Sequence, residues 1–78
     1  MADAEEVEDA RGLLCPLPVI RLAARIRRVG AGETVLLLAD DPAAEDDVLL
    51  WAKGHGHDVL GVGRDGGFLR IRVRRRGP

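Results

Sequence analysis

The sequence predicts an α/β domain, a two-layer sandwich of order β-α-β-α-β-β with a four-stranded mixed sheet and two helices on one face. Three observations predict it. Thr34 to Ala39 reads T-V-L-L-L-A, a near-continuous apolar run between Gly32 and Asp40, as expected for a central strand. Two stretches of helical apolar periodicity each open on proline and close on glycine. The C-terminal part alternates, with Leu69, Ile71 and Val73 on one face and Phe68, Arg70, Arg72 and Arg74 on the other, so one sheet face is covered and one is wet.

In chain order, residues 1–5 are short, polar and terminal and are expected to be disordered, as are 76–78. Val7 to Ala10 is expected to form a short first strand. Helix one is expected from Pro16 to about Val29, with Val19, Leu22, Ala23 and Ile26 on its buried face and Ile20 at the margin. Leu17, Arg21, Ala24 and Arg28 form the opposite, exposed stripe. Pro16 and Pro18 support the helix mouth, because the first-turn N–H groups they lack have no helical partner anyway. Pro16 also biases Cys15 towards the extended dihedrals of an N-cap, with the Leu17 N–H pointing at the sulfur.

After strand two, Asp41 is expected as the N-cap of a second helix and Pro42 as its first residue. Glu45, Asp46 and Asp47 suit the positive end of that helix. Ala44, Val48, Trp51, Ala52 and His55 share its buried face, which places Trp51 in the core, while Leu49 and Leu50 fall off that face. Gly54 and Gly56 close the helix, His57 leads into a strand over Asp58–Gly63, and Arg64-Asp65-Gly66-Gly67 turns into the last strand, Phe68–Arg75.

Composition narrows the function classes. The chain of 78 residues, 46% hydrophobic, reads as one domain spanning 1–78, and with Trp51 and Phe68 its only aromatics the core must be aliphatic. A single cysteine excludes an internal disulfide and a multi-cysteine metal site within the chain. No apolar run approaches the length of a membrane span, and the acidic start is not that of a secretory signal peptide, so a reduced cytoplasmic setting is the default expectation. His55 and His57 lack a supporting ligand constellation, so neither a metal nor a cofactor is expected. The net charge of −1 and the lack of an aromatic platform make the Arg70, Arg72, Arg74 stripe a solvated strand face in preference to a nucleic-acid surface. Acidic residues crowd the start and arginines the end, so the two ends can attract each other.

Topology then selects a site. A right-handed β-α-β crossover makes strands one and two parallel, so Cys15 after strand one and Asp40-Asp41 after strand two both lie at the carboxyl edge of the sheet. A thiol at a helix N-terminus has its pKa lowered. Asp40 and Asp41 across the edge oppose that, leaving an expected modest depression for Cys15.

Asp9-Ala10-Arg11-Gly12-Leu13-Leu14-Cys15-Pro16-Leu17-Pro18 resembles the signature of the TusA-like (SirA-like) sulfur-carrier family, which has Gly-Leu-x-Cys-Pro-x-Pro at its centre. Gly32-Glu33-Thr34 through Ala39-Asp40-Asp41-Pro42-Ala43 is similar to the family's second block and Gly56-His57-Asp58 to a third, in the same order over about residues 7–74. The resemblance implies the same two-layer sandwich and a sulfurtransferase activity. Cys15 would accept persulfide sulfur from a donor protein such as a cysteine desulfurase or a rhodanese and transfer it to an acceptor protein. Family members serve tRNA thiolation, molybdenum-cofactor synthesis or sulfur oxidation, and the sequence does not choose among these. Leu17 stands where the family is often acidic. Leu17 and Arg21, beside the sulfur, are the expected partner-binding residues, with the Asp40-Asp41 edge next. A non-catalytic adaptor using the same edge is the alternative, and a nucleic-acid-binding module a less favoured one.

Overall fold

The structure, a computed structural model, describes residues 5–76. The elements are β1 (Glu5–Asp9), α1 (Leu17–Ile26), β2 (Thr34–Ala39), α2 (Ala44–His55), β3 (Asp58–Asp65) and β4 (Phe68–Arg74). They form one mixed sheet of order β1-β2-β4-β3, in which β1 and β2 are parallel and the β2–β4 and β4–β3 pairs antiparallel. The expected order and the central place of β2 are both found. The expectation of disorder at 1–5 and 76–78 falls mostly outside the described residues, but Glu5 pairs with Thr34 in the sheet and Arg76 bonds Asp58.

Both helices cover one face. Leu22, Ile26 and Val29 from α1 and its exit turn, with Ala44 and Val48 from α2, bury against Val35, Leu37, Ala39, Leu69, Ile71 and Val73. Each valine, leucine or isoleucine so buried contributes about 1.5–3 kcal/mol, so this layer is what selects the register. The core is aliphatic, as the scarcity of aromatics requires.

The first strand differs from the reading of its sequence. It runs Glu5–Asp9, starting two residues and ending one residue before the expected Val7–Ala10, and its helix-facing residue is Glu8. Registering Glu8 against Leu37 turns its side chain under α1, where it is 5% exposed, while Val7 stands on the open face at 51%. A buried carboxylate needs charged partners. Arg21 Nε and Arg25 Nε supply them at 3.0 and 2.9 Å, and Arg25 Nη1 also reaches Glu6 at 2.9 Å. The expected first strand is therefore found with shifted bounds, its apolar pattern interrupted because a charge occupies its inward position.

Other boundaries shift for local reasons. The regular span of α1 ends at Ile26 instead of Val29 and leaves through a turn. There Arg75 Nη1 donates to the carbonyls of Ile26, Arg27 and Val29 at 3.4, 3.2 and 2.6 Å, placing a cation on the negative helix end. β4 ends at Arg74, one residue before the expected Arg75, whose main chain still bonds Gly32 and Glu33. β3 continues to Asp65, beyond the expected Gly63, because Gly66-Gly67 suffice for the hairpin turn. Gly54 lies within α2, and the helix is closed by Gly56 alone, whose φ of 75° is left-handed and open to glycine at little cost.

Candidate functional site

Cys15 lies in the loop from β1 to α1, at the carboxyl edge of the sheet, and its side chain is exposed. The loop is tied down by backbone and carboxylate contacts. The Ala10 N–H donates to the Leu38 carbonyl at 2.7 Å, extending the β1–β2 pairing by one bond. The Gly12 N–H donates to both oxygens of Asp40, at 2.9 and 3.1 Å, and the left-handed φ of Gly12, 84°, lets it turn towards them. The Cys15 N–H donates to Asp41 Oδ2. Asp40 and Asp41, expected beside the cysteine, are therefore brought to it, and each is committed to holding the loop main chain.

Cys15 is not the N-cap of α1. The cap position belongs to Pro16 and the helix begins at Leu17, with Pro18 buried in its first turn. The Cys15–Pro16 peptide is cis. The Leu17 N–H, expected to point at the sulfur, donates instead to the Leu14 carbonyl at 2.8 Å, in a turn that precedes the helix. A parallel shift occurs at α2. Asp41 and Pro42 lie before the helix, the cap position is Ala43, and helical residues start at Ala44. Asp41 shapes that entry through the Ala43 N–H, at 3.1 Å to its Oδ1, and the Ala44 N–H, at 3.0 Å to its carbonyl.

The sulfur makes its polar contact with α2. Cys15 Sγ is 2.8 Å from Asp47 Oδ2, with the thiol donating. The Cys15 pKa is raised above the ordinary thiol value, first by that hydrogen bond, then by desolvation, then by the charges of Asp47 and Asp41. This corrects the expected depression. The sulfur meets the acidic first turn of α2 before it meets any N–H of α1, and a neighbouring carboxylate disfavours a thiolate.

Beside the sulfur runs an open groove of about 250 Å³, lined by Cys15, Pro16, Val19, Asp47, Leu50 and Trp51. Leu50 is 75% exposed, Leu14 72% and Leu17 45%, so the thiol sits within an exposed apolar rim. Asp47, Leu50 and Trp51 were not recognised as site residues from the sequence. The available signal was that Leu50 falls off the buried face of α2, an unexplained apolar residue one turn from an acidic one. Trp51, expected in the core, is half-buried: it packs on the core, lines the groove, and lies 5.6 and 5.2 Å from the rings of His55 and His57.

Leu17 is on the exposed stripe as expected, but Arg21 is not a free steering charge, because it is ion-paired to Glu8 at 3.0 Å. The arginine stripe of β4 lies on the open sheet face, where Arg72 bonds Glu5 at 2.5 Å and Arg74 bonds Asp58 at 3.1 Å. The acidic start and basic end of the chain thus meet through Glu5. Among the described residues, no helix is long and apolar enough to cross a membrane.

Comparison with known proteins places this geometry. The family model for Sulfurtransferase TusA matches residues 6–75. YrkF of Bacillus subtilis (strain 168) is 38% identical over 77 residues, covering 99% of this chain, although the match spans only 42% of YrkF's own length. The sulfur carrier protein TusA of Allochromatium vinosum is 29% identical over 75 residues, 96% of this chain and 99% of that protein. The crystal structure of a SirA-like protein from Desulfitobacterium hafniense superposes with a TM-score of 0.80 at 27% identity, covering 95% of this chain and all of that one.

Proposed function

Because the chain belongs to the TusA sulfurtransferase family, we propose that it is a sulfur carrier whose Cys15 accepts a sulfur atom as a persulfide from a donor protein and yields it to an acceptor protein. The observation that carries this reading is the chain's single thiol, exposed at the sheet edge within an apolar rim. Sulfur transfer asks for a thiol that another protein can reach. The absence of a second cysteine in the chain means that the persulfide is not resolved internally and must pass to a partner.

Donor and acceptor must each bring a sulfur-handling residue to the same atom, so the surface around Cys15 serves both in turn. A cysteine desulfurase or a rhodanese is the donor class proposed. Leu17, exposed at the start of α1 two residues after Cys15, provides an apolar contact for a partner, and the part of Arg21 left exposed by its ion pair with Glu8 lies further along the same helix stripe. Asp40 and Asp41 contribute by fixing the loop that presents Cys15.

The test is intact-mass spectrometry after incubation with a cysteine desulfurase and cysteine. The expected result is a gain of one sulfur atom that dithiothreitol reverses and that Cys15→Ser abolishes. An unchanged mass with several active donors would overturn the carrier reading in favour of an adaptor that uses the same edge.

A further inference from the structure

Two carboxylates face Cys15, and they are used differently. Asp41, from the β2–α2 loop, spends Oδ2 on the Cys15 N–H and Oδ1 on the Ala43 N–H, so both of its oxygens hold main chain. Asp47, from the first turn of α2, places Oδ2 2.8 Å from Sγ itself. The remaining residues that line the groove with Cys15 and Asp47, namely Pro16, Val19, Leu50 and Trp51, carry no charge. Among the described residues, the sulfur therefore has one carboxylate within proton-transfer distance and no cation beside it in the groove.

We propose that Asp47 is the proton acceptor for Cys15 in sulfur transfer. The proposal rests on the carrier reading and adds to it a second catalytic residue. In the resting protein the sulfur is held as a thiol on Asp47. When Sγ attacks the outer sulfur of a donor persulfide, a new S–S bond forms on Cys15 while the donor's own S–S bond breaks. The donor leaves as a thiolate. Asp47 takes the Sγ proton as the bond forms and returns it to the departing thiolate. One thiol and one persulfide become one persulfide and one thiol, with no external oxidant or reductant. The raised thiol pKa agrees with this arrangement, since a protonated nucleophile needs a base in contact with it. The sequence offered Asp47 only as a complement to the helix dipole. Its contact with sulfur appears when α2 is laid beside the β1–α1 loop.

Two measurements test the proposal. The first, thiolate absorbance against pH, does not depend on the carrier reading. Asp47→Asn is expected to move the Cys15 titration midpoint down, whereas Asp47→Glu, which keeps a carboxylate, restores it towards the wild type; an unmoved midpoint in Asp47→Asn would overturn the contact. The second is single-turnover loading of Cys15 from a low-molecular-weight persulfide at pH values below that midpoint. With a base in contact, wild-type loading depends weakly on pH, because the thiol itself reacts. Asp47→Asn loading should fall about tenfold per pH unit, since only the thiolate then reacts. Parallel wild-type and Asp47→Asn profiles would overturn the proton relay. Absence of sulfur on the wild-type protein at every pH would overturn the carrier reading and the relay together, leaving the titration to decide the contact by itself. Thermal midpoints of both variants separate these effects from loss of fold.

Discussion

Replacing Asp41 with alanine should loosen the loop that carries the thiol, and the structure sets the scale of the effect. The Asp41 carboxylate accepts two main-chain N–H groups, from Cys15 and Ala43, and so joins the loop before α1 to the loop before α2. Hydrogen bonds to a charged acceptor contribute about 1.5–3 kcal/mol each. Asp41 is half-exposed, so water replaces part of what is lost. The expected cost of Asp41→Ala is therefore about 2 kcal/mol, near the upper end for loss of a capping side chain. In a domain of this size each kcal/mol moves the thermal midpoint by about 4–8 °C, so the midpoint should fall by about 10 °C. Asp41→Asn retains one acceptor oxygen and should lie between alanine and wild type. Thermal unfolding by circular dichroism measures the fall, and amide exchange at Cys15 should speed up in the same variants. A midpoint within about 2 °C of wild type in Asp41→Ala would refute the reasoning. It would show that the loop is held by the Gly12–Asp40 contact and by packing.

Further outcomes are expected. Arg21→Glu removes one of the partners of buried Glu8 and puts a like charge beside it. With Arg25 retained and Arg21 half in solvent, the cost should be about 1–2 kcal/mol, whereas Leu17→Asp at an exposed site should change stability by less than about 0.5 kcal/mol. Chemical denaturation separates the two, and Leu17→Asp should slow loading from a protein donor while leaving loading from a small persulfide nearly unchanged. Asp9 has its pKa lowered from 3.8 to about 2, first by the hydrogen bond from the Arg11 side chain and then by the Arg11 N–H. A depressed folded-state pKa gives a contribution that is complete above the ordinary value and is lost as pH falls through the folded one. This contribution should accordingly disappear between pH 3.8 and about 2. Carboxyl titration by NMR checks it, and in Arg11→Ala the Asp9 midpoint should return towards the ordinary value.

The sequence by itself determined the fold class, the order of elements and the edge on which the cysteine stands. These rest on patterns that local chemistry writes directly: the apolar run of β2, the period-two arginines of β4, the proline-opened helices and the chirality of the crossover. It also determined that Cys15 is the residue to examine, since the chain has one thiol and a family signature surrounds it. Tertiary structure decided the thiol's surroundings. Whether a helix-entry cysteine meets N–H donors or a carboxylate depends on how α2 lies against the β1–α1 loop, and no spacing along the chain encodes the 2.8 Å contact from Cys15 to Asp47, residues 32 apart. The same holds for the inward face of β1: the buried place of Glu8 is tolerable only because Arg21 and Arg25, on another element, come within 3.0 and 2.9 Å of it. Periodicity reports which residues prefer water and which do not. The partner that satisfies a buried or reactive group is chosen by packing, and packing is settled only when the helices close on the sheet.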